Sequence, residues 1–452
     1  MQNLWEEFDN KHSPASSETV GQGHHGRNRR LTERDILSSL RNWLLLDYVA
    51  PYCRSLAATR IYRRCYWIDA LGIDTRANSK SEYTGEVSPD MLARPESENG
   101  SKKGRKKDTS QGGQLLPPIL QPIASLSQSL AQESKSINLH GLILEAGSSK
   151  RKGTRTAKNE NITLPKESGI VRASWLEAAP IILQFIDQSP AIFLLNPLGQ
   201  TIFTYDDLAP LYQRTVPTEL LLLISHKQLE TRLLAALDSP LDASTLTALL
   251  RSDRWKTLLA KNEAQEEAKT ANAIDRSIDL LIASMQRHFL SVQRVAFSIQ
   301  TRPAVVEATP YTLLFATRRP DSLVSMNDAL CIYRRRLDQQ SHQGVLGEEW
   351  FARQYQESLA EEMTQLYQRI LHLGKTQRVR RWSDLRQQLV VANFGQFTSQ
   401  DYDEVMRELL ISGDVRCEWR RKIVAEGNDE ALPQSMRLPG NEDTLVWRWD
   451  SI

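Results

Sequence analysis

Short, largely apolar runs recur along this chain, each cut off by a polar or turn-forming residue. Ala191-Ile192-Phe193-Leu194-Leu195 stops at Asn196-Pro197-Leu198-Gly199. Leu139 to Leu144 stops at Glu145, Cys65-Tyr66-Trp67-Ile68 stops at Asp69, and Leu220 to Ile224 stops at Ser225. Apolar runs closed by turn signals predict strands buried on both faces, as in a parallel sheet. Between them the apolar positions fall at helical spacing. Ile36, Leu40, Trp43 and Leu44 follow a Thr32/Asp35 capping box, predicting an amphipathic helix towards Asp47. Further helices are predicted over 178–187 and from Tyr205, then across 229–290 with Trp255 and Phe289 in the core. Two more strands are predicted over 292–300 and 311–317. Strands alternating with helices predict an α/β fold.

The pattern changes twice. From residue 78 to 136 periodicity gives way to Ser, Pro, Gly and Lys, with Lys102-Lys103-Gly104-Arg105-Lys106-Lys107 at the centre. Such composition predicts a largely disordered basic insertion, with Leu126 and Leu130 candidates for one short helix. After residue 345 the chain reads as a separate module. One helix carries Met363, Leu366, Ile370 and Leu371 and closes at Gly374; a second is capped by Ser383; a third opens at Thr398/Asp401 and ends at Gly413. Paired strands over 415–424 and 444–449 complete a winged-helix pattern. The polar first 30 residues read as a flexible arm, leaving an α/β domain over 31–345 and the winged helix over 346–452.

Charge and composition narrow the function classes. A net charge of +2 over 452 residues imposes no global field, so any contact with a polyanion must be local. Cys53, Cys65, Cys331 and Cys417 are scattered, which supports neither a disulfide framework nor a zinc site. The chain opens with Glu6, Glu7 and Asp9 rather than a basic-then-apolar signal, and no run approaches membrane-spanning length, so a cytoplasmic protein without a membrane partner or metal is expected. The acidic third helix (Asp401, Asp403, Glu404, Glu408) repels phosphate. Positive charge gathers instead at Arg378, Arg380, Arg381 and Arg386, and on the wing at Arg416, Arg420, Arg421 and Lys422. That distribution suits nucleic-acid contact through the wing, or protein docking.

Candidate chemistry sits where the strands end, because ligands of open α/β sheets bind beyond the carboxyl ends. Asn196 offers an acceptor and donors, and Pro197 has no N–H, so an amine can be held by accepting its hydrogens. Asp69 precedes Ala70-Leu71-Gly72-Ile73-Asp74, a small-residue turn with one glycine for close backbone approach. Glu145 ends the next strand, where an acid binds ribose hydroxyls in nucleotide-type folds. Arg318-Arg319 and Arg334-Arg335-Arg336 are alternatives as a phosphate-binding face or a solvated helix face, and His140 and His226 read as structural.

Taken in order, the Leu/Trp-rich first helix, Tyr66-Trp67-Ile68-Asp69, Gly85 with Ser88-Pro89, Leu142-Ile143-Leu144-Glu145, Asn196-Pro197-Leu198-Gly199, Thr218-Glu219-Leu220-Leu221 and Tyr311 to Thr317 with Met326 and Ala329 resemble the three-Cys-motif partner family. These are S-adenosylmethionine-dependent methyltransferase-like proteins with a C-terminal winged helix, and the resemblance runs from Leu31 to Trp449. It implies a Rossmann-like, methyltransferase-type sheet flanked by helices and a partner protein with a three-cysteine cluster. Asp69 and Gly72 would hold the amino-acid end of S-adenosylmethionine and Glu145 its ribose, while Asn196 and Pro197 would place a nucleic-acid amine in line with the methyl group. Two motifs depart from the family. The loop after Asp69 keeps a single glycine and adds Asp74, and Leu198 stands where an aromatic would stack on a flipped base. The departures point to a kept fold and an impaired catalyst: a nucleic-acid-associated binding or scaffold subunit, of a defence or mobile-element system. The alternative is an active amino-group methyltransferase on DNA or RNA.

Overall fold

The computed structural model describes residues 32–72, 117–133, 136–145, 162, 164–199, 201–259, 266–302, 305–342, 347–420 and 437–448. The expected arm over 1–30, most of the insertion, Gly85, Ser88 and Pro89 lie outside them.

Seven strands form one sheet: β1 (Arg64–Asp69), β2 (Asn138–Leu144), β3 (Gly169–Val171), β4 (Ala191–Leu195), β5 (Thr218–Ser225), β6 (Ser291–Arg302) and β7 (Val305–Thr317). Their order is β3-β2-β1-β4-β5-β7-β6. The first five are mutually parallel, and β7 runs antiparallel to both of its neighbours. This is the Rossmann order with one reversed strand seated between the fifth and sixth. The central strands β4 and β5 are buried along their whole length because both faces are covered, whereas the first half of β7 is largely exposed. On β5, Leu221 and Leu223 join one core while Leu220, Leu222 and Ile224 join the other.

The first core is covered by α1 (Glu33–Trp43), α2 (Ala50–Ala58), α3 (Gln121–Gln132) and α10 (Pro320–His342). A π-helical turn, Leu44–Val49, joins α1 to α2, so the first helical stretch continues beyond Asp47 to Ala58. It aims Tyr48 into the core beside Tyr52. The Thr32/Asp35 capping box is formed. Helix α3 orders the end of the predicted insertion, burying Ile123 and Leu130 against β2. The second core is covered by α4 (Trp175–Phe185), α5 (Tyr205–Gln213), α6 (His226–Asp238), α7 (Pro240–Leu250) and α9 (Glu266–Met285), with α8 (Trp255–Leu259) adding the buried Trp255.

The C-terminal module comprises α11 (Glu348–Gln377), α12 (Trp382–Ala392), α13 (Ser399–Ser412) and a hairpin of β8 (Val415–Glu418) with β9 (Thr444–Trp447). Gly374 does not end its helix; α11 runs on to Gln377, and Arg378 after it is left-handed at φ 52°. A Cβ on Gly374 would lie 2.1 Å from the Trp447 ring, so glycine is there to seat that ring. Nor does Ser383 cap α12, which begins one residue earlier with no side-chain cap. The Thr398/Asp401 box and the Gly413 stop are formed. The module packs on α10, and its Leu366, Leu385, Tyr402 and Val405 belong to the same apolar cluster as the first sheet face.

Candidate functional site

Register places the three predicted strand-end residues side by side. Asp69 closes β1 opposite Ile143 of β2 and Leu194 of β4. Glu145 and Asn196 therefore lie two residues further out on the flanking strands. The strand order reverses between β1 and β4, which puts the ligand crevice of this architecture above Asp69.

That position is already filled by the chain itself. Asp69 is fully buried, and Arg41 of α1 approaches it with Nε 2.5 Å from Oδ2 and a terminal nitrogen 3.2 Å from Oδ1. The same guanidinium donates to the Gly72 carbonyl at 3.1 Å, and the Leu71 N–H donates to Asp69 Oδ1 at 3.0 Å. Gly72, at φ +86°, supplies the left-handed turn that brings its carbonyl round to Arg41. A forked guanidinium–carboxylate contact in a buried setting is strong and directional. An ammonium group of a ligand reaches Asp69 only by displacing it. The conformation therefore does not fit the amino-acid end of S-adenosylmethionine.

The neighbouring positions differ. The Glu145 side chain is partly exposed, and among the described residues its ion-pair contact is with the largely exposed Arg172, 4.0 Å away. Asn196 Oδ1 accepts from the Leu198 N–H at 2.9 Å, and Nδ2 donates to Gln228 Oε1 at 3.1 Å. The Pro197 carbonyl accepts from the Phe203 N–H at 2.9 Å, and Arg232 holds the Gly199 carbonyl at 2.8 Å. Leu198 is buried in the second core. The Asn-Pro-Leu-Gly segment is thus a self-bonded turn, with part of its hydrogen-bonding capacity engaged in holding its own shape. An open groove of 580 Å³ lies between the first turn of α5 and the α7–α8 turn, lined by Thr204, Tyr205, Thr247 and Arg251; no predicted site residue lines it.

The remaining candidates are mostly structural ties. Arg318 donates to the carbonyls of His288, Arg214 and Tyr212, under the Phe289 ring. Arg319 donates to Asp321 and to Ser55 of α2. Arg334 holds the Gly395 carbonyl, Arg335 pairs with Asp401 and Arg336 with Asp47. Arg334 remains exposed and Arg336 is partly exposed, while all five make contacts within the chain. His140 stacks on Tyr66, and His226 meets the Thr312 hydroxyl at 2.8 Å; burial lowers the pKa of both imidazoles.

Two residues that matter were not visible as chemistry in the sequence. Arg41 is one. Glu219 is the other: fully buried near the start of β5, it has a pKa pushed up to about 7 by desolvation. The hydroxyls of Thr317 and Ser322 and the charge of Arg319 draw it part of the way back, yet neither carboxyl oxygen completes a hydrogen bond. Among the described residues the Tyr48 and Tyr52 hydroxyls nearby likewise have no hydrogen-bond partner, and burial and Glu219 raise both phenols.

In the C-terminal module Arg378, Arg380, Arg381, Arg416 and Arg420 are exposed, whereas Arg421 and Lys422 lie outside the described residues. Arg386 is half-buried and faces Asp403 at 3.4 Å. Of the acids on α13, Asp401 and Asp403 are paired inward, while Glu404 and Glu408 face solvent.

No protein-family model matches this chain, and no curated protein or solved structure matches it either. Among the described residues there is no cluster of three or more His, Cys, Asp or Glu able to hold a metal, and no helix long and apolar enough to cross a membrane.

Proposed function

We propose that this chain is a divergent methyltransferase-type protein, of the three-Cys-motif partner kind, that binds rather than catalyses. Its sheet keeps the architecture, and its own Arg41 occupies the cofactor end of the crevice. In this reading it is a cytoplasmic, nucleic-acid-associated scaffold subunit, with the C-terminal module as a winged helix and a three-cysteine protein as its partner. The observation that carries the reading is the forked contact of Arg41 with the buried Asp69, closed by the Gly72 carbonyl. Breaking a buried pair of this kind costs about 3–5 kcal/mol, which a ligand must repay from its own contacts.

The second reading, an active amino-group methyltransferase, is favoured by one observation. Glu145 stays accessible at the ribose position, beside Asn196 and Pro197 at the lip. Arg41 would then have to swing away when S-adenosylmethionine enters. Calorimetric titration with S-adenosylmethionine separates the two. The binding-subunit reading expects no heat at micromolar cofactor from the folded wild type. Micromolar affinity that disappears in Glu145→Ala overturns it and restores the enzyme. Arg41→Ala serves as the gate control: binding gained only in that variant identifies Arg41 as the closing element.

A further inference from the structure

The α11–α12 connector is not a free loop. After Arg378 the chain turns to run beside β9, where the Leu445 N–H donates to the Arg380 carbonyl at 2.7 Å and Trp447 Nε1 donates to the Val379 carbonyl at 2.7 Å. Strand β8 pairs with β9 on its other side, Arg416 opposite Val446. The connector and the two-stranded β8–β9 hairpin thus lie side by side as one ribbon, with the Trp447 ring seated against Gly374. Alternation sends Leu445 and Trp447 inward and Val446 and Arg416 outward. Arg380, Arg381, Arg416 and Arg420 are exposed on this ribbon, and among the described residues their side chains make no ion pair. Glu418 is the exposed acid on β8, paired with Thr444 two rows from Arg416. Like charges gathered on one face, with no ion pair among the described residues, suit a polyanion.

The rest of the module decides how such a polyanion is met. Base reading by the third helix uses that helix's N-terminal residues in the major groove. Here that end is docked on α10. Asp328 accepts from the Ser399 N–H at 2.7 Å and from its hydroxyl, Arg335 pairs with Asp401, and Asn327 bonds the Phe397 carbonyl and the Gly395 N–H. The exposed side of the same helix carries Glu404 and Glu408. Single-strand binding calls for open aromatic rings on which bases stack. Trp382 and Trp447 are buried, and Arg437 lies 4.5 Å over the Trp419 ring.

We infer that the arginine face of this ribbon holds the phosphate backbone of duplex nucleic acid without reading its sequence, the third helix serving to dock the module onto the α/β body. This rests on the nucleic-acid part of the function proposed above and gives it a surface and a mode.

The test is fluorescence anisotropy of the full chain with two 20-base-pair duplexes of unrelated sequence, the corresponding single strands, and polyglutamate. The expected result is equal affinity for both duplexes, weaker binding of single strands and none of polyglutamate. With about four phosphate contacts, affinity should fall roughly 100-fold between 50 and 200 mM monovalent salt. The double variant Arg380→Glu/Arg416→Glu should weaken duplex binding at least about tenfold with an unchanged melting temperature, and Arg380→Lys/Arg416→Lys should retain it, as the salt-dependent electrostatic term requires. Preference for one sequence, preference for single strands, binding of polyglutamate alone, or indifference to the charge reversal each overturns the inference. Failure here leaves the cofactor titration untouched. Conversely, S-adenosylmethionine binding would remove the non-catalytic reading without bearing on the ribbon.

Discussion

Asp69 and Glu219 are both fully buried carboxyls on one sheet, at opposite edges, and the fold treats them in opposite ways. Around Asp69 donors converge: both arms of the Arg41 fork and the Leu71 N–H. Around Glu219 they do not. Its nearest cation, Arg319, directs its fork to Asp321 and Ser55 instead, leaving two hydroxyls close by with no bond completed. Burial alone disfavours a carboxylate, and only converging donors and opposite charge reverse that. At the carboxyl edge the pairing closes a crevice. At the amino edge its absence leaves a carboxyl that takes up a proton within reach of neutral pH.

The comparison breaks most visibly if Arg41 is removed. Arg41→Met leaves Asp69 buried beside one remaining N–H, and a loss of about 3–5 kcal/mol in denaturant unfolding at pH 7 is expected. Replacing the orphaned acid in the double variant Arg41→Met/Asp69→Asn should recover most of it, because a neutral amide is far cheaper to bury than a lone charge. A loss below about 1 kcal/mol in the single variant would mean that Asp69 reaches water, and that the crevice is open.

Glu219 gives the next largest effect, with a defined sign. Its ordinary value of 4.5 is raised to about 7 in the folded chain by desolvation, so the folded state binds the proton more tightly than the unfolded one. This contribution is therefore fully present below about pH 4.5, is lost as pH climbs towards 7, and stays lost above. Over that window the group lowers stability by about 3 kcal/mol. Glu219→Gln should flatten this part of the profile, leaving the variant close to wild type at pH 5 and the more stable of the two at pH 8. An unchanged slope in Glu219→Gln would assign the pH dependence to other groups and show that Arg319 already satisfies the carboxylate.

The sequence made local features legible and pairings across the fold illegible. The Ala191–Leu195 and Leu220–Ile224 runs announce doubly buried strands because parallel-sheet strands need apolar residues on both faces. The capping boxes at Thr32 and Thr398 are four-residue signals, and both are formed. Asp69, Glu145 and Asn196 were legible as a strand-end set for the same reason, since each ends an apolar run. Arg41 was not, because 28 residues separate it from Asp69 and a basic residue late in an amphipathic helix has an ordinary place on the solvent side. Glu219 stood inside a strand signal whose apolar neighbours hid it, and the hydroxyls near it come from β7 and α10. Gly374 misled in a more instructive way. A glycine after an apolar helical stripe signals a stop, but here it makes room for an indole 73 residues later, inside a helix that continues. Helix α3 was nearly lost in the polar insertion because few apolar side chains anchor it to β2.

The smallest effect belongs to Glu145, and it sharpens the contrast from within one edge. Its carboxylate ends the strand beside β1, yet it is partly exposed and faces an Arg172 guanidinium that is itself 87% exposed, at 4.0 Å. Pairs of this kind are screened by water and contribute little, so Glu145→Ala should change unfolding stability by under about 0.5 kcal/mol, several-fold less than Arg41→Met. Among the described residues the Glu145 carboxylate is tied only by this screened contact, two positions above a carboxylate that Arg41 and the Leu71 N–H hold. A loss above about 1 kcal/mol would reverse that argument, since it would place Glu145 among the structural contacts with Asp69 and take it away from the face that a ligand meets.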